Sequence, residues 1–319
     1  MFHQAFKCSK NIGLLTITIA ALIGIYFPSR HARHYECVNI DNILGSLHLE
    51  SVESNIQNNN LKNCTYETVL FDPNNKIQIK EVIQQRVYSE PTSGGEYIPK
   101  DCKPSISSAI IVPYRNREEQ LEIFLHFIHH FLQRQKIHYR IYIVNQKNDL
   151  PFNRAKLLNI GAKIAMSDTF PCLILHDLDL IPLNYANIYA CSKLPRHMSS
   201  SLDTFRYNLP YLTLFGGATS ILSTQYKGIN GMSNLFEGWG GEDDDFYKRL
   251  DECNLTPLRF CPSISSYTML IHKKNRVISQ NRFNLLKQSA DRRFEDGLNA
   301  LPNNFTIELE PLYTHILVP

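Results

Sequence analysis

Cys172-Leu-Ile-Leu-His-Asp-Leu-Asp179 is the stretch on which the reading of this chain turns. Cys172 to His176 is an apolar run of strand length, and two carboxylates in D-x-D spacing follow it at once. Toward the N terminus, Leu157, Leu158, Gly161, Ile164 and Ala165 recur at helical spacing. Tyr139 to Val144 is a second strand. Leu121, Phe124, Leu125, Ile128, Phe131 and Leu132 mark a second helical face, and Ala109 to Val112 a third strand that ends at Pro113. Strand, helix, strand, helix, strand is a parallel α/β unit. In such sheets ligands bind beyond the carboxyl ends of the strands. The residues there are Pro113-Tyr114-Arg115-Asn116-Arg117, Asn145-Gln146 and Asp177-Leu178-Asp179.

Each of these segments has a chemical and a plain structural reading. Asp177 and Asp179 put two carboxylates at a strand end, with room for a hard divalent cation; D-x-D alone also serves as a strand-capping turn. Arg115 and Arg117 suit a phosphate or diphosphate, or equally a solvated helix start. Phe152-Asn153-Arg154 sets an aromatic ring beside an arginine, which suits a nucleotide base, though taken alone it reads first as a helix start. Gly238-Trp-Gly-Gly-Glu-Asp-Asp-Asp245 holds the one tryptophan of the chain and four consecutive acids. Such acids can open a helix, whose dipole favours negative charge, while glycines let a substrate approach the backbone and Trp239 offers a sugar-stacking face. Met269-Leu-Ile-His272 places a thioether and an imidazole where they could share a metal with Asp179. That mixed donor set favours Mn²⁺ over Mg²⁺.

The 319 residues suggest one large domain or two ordinary ones. With 43% apolar and 20% charged residues, wholesale disorder and a polytopic membrane protein are excluded. The net charge is +3 and no basic stripe stands out, so nucleic acid is not an expected partner. Ile12 to Phe27 carries no charge and spans about 24 Å as a helix, which suits a thin bilayer of the early secretory pathway. Lys7 and Lys10 precede it and Arg30 and Arg33 follow, so flanking charge leaves its orientation open. An uncleaved anchor is expected, with a cleaved signal peptide as the alternative. The expected organisation is a cytoplasmic tail over 1–11, a transmembrane signal anchor over 12–27, a stem and start of the lumenal region over 28–104, and a catalytic domain over 105–319. Sequons at Asn63, Asn254 and Asn304 point to a lumenal side. The eight cysteines include no C-x-x-C pair, so disulfides are expected and a zinc ribbon is not.

Taken in order, VPYRNREEQ, FNRAKLLNIGA, HDLDLIP, LPRH, FGGATS, INGMSN, GWGGEDDDF, MLIH, QNRF, DGLNAL and PLYTHILV resemble the β-1,4-galactosyltransferase family of animal Golgi enzymes. The resemblance runs from Ala109 to the C terminus. It implies a GT-A-type α/β fold, a mixed and mainly parallel sheet flanked by helices, in a single-pass type II Golgi membrane protein with its catalytic domain in the lumen. It implies a Mn²⁺ cofactor held by Asp179, Met269 and His272. The donor, UDP-GalNAc or UDP-Gal, would meet Pro113 to Arg117, Phe152 to Arg154, Leu178, Asp179, Leu214, Trp239, His272, Lys273 and Lys274. The acceptor, a glycan ending in β-GlcNAc, would meet Tyr211, Gly217, Gly241, Glu242, Asp243, Asp244, Arg282, Phe283 and Leu286. Asp243 would be the base on the acceptor 4-hydroxyl, with Glu242 beside it, and the anomeric configuration would invert. The segment from Ile271 to Leu286 would act as a lid. The disulfides implied are Cys64–Cys102 and Cys172–Cys191, while Cys253 and Cys261 either pair with each other or stay free. A modifier subunit or a homodimer is left open.

Four departures from the family pattern stand out, the first a lid slightly shorter between His272 and Arg282 than in the mammalian type. Leu178 replaces a usual Val. Thr204 stands where many members have a phosphate-contacting Lys. Leu214 stands before Phe-Gly-Gly where galactose-specific members have Tyr. Without that ring there is space for an N-acetyl group on the donor, so transfer of GalNAc (or Gal) is the expected activity. A strict UDP-Gal galactosyltransferase acting on GlcNAc or xylose is the alternative, and a non-catalytic Golgi lectin or scaffold a third reading.

Overall fold

The computed structural model describes residues 12–25, 35–51, 61–84, 88–272 and 281–319. Its centre is an eight-stranded sheet. The three expected strands appear as β2 (Ser107–Tyr114), β3 (His138–Gln146) and β4 (Cys172–His176). A two-residue β1 (Glu96–Tyr97) pairs with β3. The path through the sheet is β10, β11, β3, β2, β4, β8, β6, where β6 is Arg196–His197, β8 Ala218–Leu222, β10 Thr306–Leu309 and β11 Thr314–Val318. β11, β3, β2 and β4 run parallel, and antiparallel strands close both edges. A second sheet joins β5 (Leu180–Pro182), β9 (Ser266–Met269) and β7 (Ser201–Leu202). The sheet is thus mixed and mainly parallel at its core, as expected.

Strands β2 and β4 are buried along their whole length, which requires cover on both faces. Alternation along β2 divides its side chains accordingly. Ile110 and Val112 join one core with Phe124, Phe127, Ile128 and Phe131, while Ala109 and Ile111 join the other with Leu157, Leu158 and Ile160. The helices that cover these faces are Glu118–Arg134 and Arg154–Ser167. After a helix over residues 12–25, the α-helices among the described residues are, in chain order, α1 (Ile43–Ser46), α2 (Glu67–Leu70), α3 (Glu118–Arg134), α4 (Arg154–Ser167), α5 (Ser223–Gly228), α6 (Glu242–Asp251), α7 (Arg282–Lys287) and α8 (Ser289–Arg292). Gly161 lets α4 approach the sheet closely: a Cβ there would lie 2.4 Å from Ile111 and 2.8 Å from Val144.

Chain before β2 enters the same core. Ile43, Leu47, Tyr66, Val69 and Leu70 are buried with the α3 side of the sheet. The Cys64–Cys102 and Cys172–Cys191 disulfides form as the resemblance implies. One expectation is overturned: Cys261 bonds to Cys37, 224 residues away, and Cys253 is the free thiol among the described residues. Sequence distance concealed this pair, because Val38 N reaches Arg259 O at 2.8 Å only after folding. Residues 12–25 form an apolar, exposed helix. No helix among the described residues is long and apolar enough to cross a membrane, and the last two residues of the expected anchor, 26 and 27, lie outside them. Asn63, Asn254 and Asn304 are all exposed.

Candidate active site

β4 ends at His176, and the chain turns through Asp177, Leu178 and Asp179 into β5. The two carboxylates have different surroundings. Asp177 Oδ1 accepts from Arg154 Nε at 2.6 Å, so its charge is matched within the protein. Asp179 Oδ2 has looser neighbours, Arg117 Nη1 at 3.4 Å and His272 Nδ1 at 3.2 Å. Burial pushes the Asp179 carboxyl up and Asp177 adds to it, against Arg117 and His272.

Met269 and His272 reach this place through β9. Leu180 pairs with Met269, and Leu270 N donates to Asp179 O at 2.7 Å. Asp203, which sequence reading missed, fixes the strand end: its carboxylate accepts from Met269 N at 3.2 Å and from Thr268 Oγ1 at 2.5 Å. No motif announces it. The donor set of carboxylate, imidazole and thioether fits a borderline divalent cation such as Mn²⁺, and a buried carboxylate that faces an imidazole at 3.2 Å suits one. The trio Glu308, Glu310 and His315 also brings ligand atoms within 4.8 Å, but on the β10–β11 hairpin, with Glu308 exposed.

The arginine-bearing segments lie at neighbouring strand ends. Pro113 and Tyr114 are buried, and Asn116 has a left-handed φ of 48° that turns the chain into α3. Arg115 lies over the Phe152 ring at 5.3 Å and donates to Leu150 O at 2.7 Å, so these two candidate residues hold each other. Asn153 caps α4 by accepting from Lys156 N at 2.9 Å. Its amide also donates to Asn234 O at 2.6 Å, and Gly238 N donates to Phe152 O at 2.9 Å, which ties the glycine turn to the Phe-Asn-Arg segment. A cavity of about 390 Å³ opens beside this end, lined by Tyr114, Asn116, His126, Asn145 and His315 among others.

Gly238, Gly240 and Gly241 all have positive φ, between 82° and 102°, which favours glycine over any side chain. The turn presents Trp239, half-exposed, and delivers the four acids to the first turn of α6. Glu242 is buried and pushed up to about 7, by burial and then by Asp243 beside it. Asp243 is also raised, by burial and by Asp244. Between the D-x-D turn and these acids stands Arg154. Burial alone would lower its guanidinium, but Asp177, Glu242 and Asp243 around it raise it.

Gly216 is a second residue the sequence reading passed over. A Cβ there would lie 2.8 Å from Asp243 Oδ2, so the backbone at Gly216 passes directly against this carboxylate. Gly217 O accepts from Asp177 N at 3.1 Å, and Tyr211 Oη donates to Asp244 Oδ1 at 3.1 Å. On the far side, Arg282 packs on the glycine turn: a Cβ at Gly240 would lie 3.1 Å from its Nη1. Arg282 also covers the exposed Phe283 ring at 4.8 Å, and Leu286 is half-buried on the same short helix. The predicted residues 113–117, 152–154, Asp177 to Asp179, Tyr211, Leu214, Gly217, Trp239, Gly241 to Asp244, Met269, His272, Arg282, Phe283 and Leu286 belong to segments gathered at one end of the sheet. Lys273 and Lys274 lie outside the described residues.

Residues 58–192 match the family described as the N-terminal region of glycosyl transferase group 7, and residues 196–273 match the N-terminal domain of galactosyltransferase. Over 255 residues, 78% of the chain, it is 40% identical to β-1,4-galactosyltransferase 1 of Bos taurus. It is 40% identical over 232 residues to β-1,4-galactosyltransferase 6 of Rattus norvegicus. The catalytic domain of Drosophila β-1,4-galactosyltransferase 7, solved with xylobiose, superposes with a TM-score of 0.56 at 30% identity, covering 66% of this chain and 92% of that one. This chain belongs to the β-1,4-galactosyltransferase family. The fold is accordingly GT-A-like. A mutant of the Drosophila enzyme was solved with manganese, UDP-Gal and xylobiose, and matches with a TM-score of 0.55 at 28% identity. The chain covers 63% of the bovine relative's length and 61% of the rat one's.

Proposed function

We propose that this chain is an inverting, Mn²⁺-dependent β-1,4-galactosyltransferase that moves galactose from UDP-Gal to the 4-hydroxyl of a terminal β-GlcNAc. The observation that carries the reading is the pairing of Arg154 with Asp177, which leaves Asp179 facing His272 for a cation while Glu242 and Asp243 stand on the other side of the guanidinium. A lectin needs no such division of carboxylates. Asp179, Met269 and His272 would hold Mn²⁺, which when bound takes up charge on the departing diphosphate. Arg115 and Phe152 would hold the uridine, Arg117 the diphosphate, and Trp239 the face of the donor sugar. Asp243, next to Gly216, would take the proton of the acceptor 4-hydroxyl as that oxygen attacks. Arg282, Phe283 and Leu286 would enclose the acceptor N-acetyl group. The uncharged run from Ile12 to Phe27 and the exposed sequons Asn63, Asn254 and Asn304 support a membrane-anchored, lumenal enzyme.

Galactose leads over GalNAc because the relatives are galactosyltransferases and the Drosophila neighbour holds UDP-Gal. Leu214 keeps UDP-GalNAc as the second reading, since its side chain lacks the ring that would crowd an N-acetyl group. Xylose is the second acceptor, as that neighbour holds xylobiose. The test is transfer with Mn²⁺ from UDP-Gal or UDP-GalNAc onto a GlcNAc glycoside and a xyloside, with linkage analysis of the product. A β-1,4-galactosylated GlcNAc is expected; no transfer from either donor to either acceptor would defeat the reading.

A further inference from the structure

We infer that Arg292 and Lys248 are positioning residues for the acceptor: together they hold the carboxyl end of α7, and with it Arg282 and Phe283, against the acidic turn of α6. The inference rests on the reading of α7 as part of the acceptor site. At six residues, α7 is too short to be stable on its own, and the last carbonyls of any helix lack partners within it. Here two of them accept from cations outside the helix, Leu285 O in addition to its bond from Gln288 N at 3.2 Å. Arg292 Nη2 donates to Leu285 O at 2.7 Å, and Lys248 Nζ donates to Leu286 O at 2.8 Å. Positive charge at a helix C terminus is favoured by the dipole as well.

Both cations are anchored on the helix that carries the proposed base. Lys248 belongs to α6, four residues after Asp244. Arg292 donates from Nη2 to Asp245 Oδ1 at 3.1 Å, and Asp245 is fully buried directly after Glu242, Asp243 and Asp244. The other oxygen of Asp245 accepts from Arg249 Nε at 2.9 Å. From Nη1, Arg292 also reaches Asp296 Oδ2 at 2.6 Å and Ser233 Oγ at 3.0 Å. One guanidinium therefore joins α6, α7 and the chain after α8. At the opposite end of α7, Arg282 is pressed on the glycine turn, where a Cβ on Gly241 would lie 3.2 Å from Arg282 Cβ. With both ends of α7 held in this way, the Arg282–Phe283 pocket keeps a set distance from Asp243 whenever the segment is closed over the site. Binding then costs less ordering of the protein.

The two residues differ in burial, which separates positioning from folding. Lys248 is exposed and makes its bond to α7 at the surface, so Lys248→Ala should fold as the wild type does. Steady-state kinetics on the full chain in detergent, with Mn²⁺, UDP-Gal and a GlcNAc glycoside, provide the test. Lys248→Ala is expected to raise the acceptor KM by about threefold to tenfold, the worth of one hydrogen bond, with the KM for UDP-Gal and the Tm unchanged. Arg292→Gln should raise the acceptor KM further, and Arg292→Lys should restore part of the loss. Unchanged acceptor KM in both Lys248→Ala and Arg292→Gln would overturn the inference, as would donor and acceptor KM rising together. If the wild type transfers to no glycoside, the proposed function has failed, and amide hydrogen exchange at residues 285–288 decides instead. Faster exchange in Lys248→Ala supports the clamp; unchanged exchange overturns it.

Discussion

Arg154 Nε donates to Asp177 Oδ1 at 2.6 Å, and this bond assigns different tasks to the two carboxylates of the D-x-D turn. Asp177 is matched by a guanidinium that is itself nearly buried, while Asp179 keeps only longer contacts to Arg117 and His272. The same guanidinium faces Glu242 and Asp243. A single side chain thus fixes the spacing between the proposed metal-binding and acceptor-binding halves.

Metal dependence follows from this division. Activity should require Mn²⁺, and Asp179→Asn or His272→Ala should abolish it. Turnover assayed after chelation and metal add-back checks this; full activity of either variant without added metal would remove Asp179 and His272 from the ligand set.

Leu214 should set donor choice. Its chain segment passes against Asp243 by way of Gly216. Leu214→Tyr should shift the ratio of kcat/KM toward UDP-Gal over UDP-GalNAc by about tenfold or more, the 1–3 kcal/mol of a pocket clash or one lost contact. Parallel donor profiles of wild type and variant measure it, and identical ratios would place the choice at another residue.

Much of this was legible in the sequence, and the reasons are local. The strands at 109–112, 139–144 and 172–176 are short apolar runs that need burial on both faces, and the faces of α3 and α4 repeat at helical spacing. Motifs at strand ends then gave the arginines and carboxylates. What stayed hidden depends on partners distant in sequence. Cys37 meets Cys261 across 224 residues, and Asp203 finds Met269 only once β7 and β9 pair. Nothing local in the sequence marks Gly216, where Asp243 leaves no room for a Cβ. Nothing local reveals that Arg292 and Lys248 find hydrogen-bond acceptors in carbonyls of α7.

The Cys37–Cys261 bond should matter for stability, because it closes so long a loop of the unfolded chain. Cys37→Ser is expected to cost about 2–4 kcal/mol. Denaturant unfolding of wild type and variant checks it, and equal midpoints would show that the N-terminal segment is held by packing alone.

Glu242 gives the fold a pH dependence with a definite sign. Its carboxyl is pushed from 4.5 up to about 7, so the folded state holds the proton more tightly than the unfolded chain. The stability this contributes is complete below the unfolded value and is lost as pH rises through the folded one. Glu242→Gln should therefore raise Tm relative to wild type more at about pH 8 than at about pH 5. An equal difference at both values would show that Glu242 titrates normally.

Turnover and nucleotide binding in Asp243→Asn, measured together, test the central assignment most directly. The variant should lose about 10²–10⁴-fold in transfer to a GlcNAc glycoside, the range for a removed general base, while binding UDP with Mn²⁺ as the wild type does. A near-normal kcat in Asp243→Asn would contradict the account and move the base elsewhere on the acidic turn.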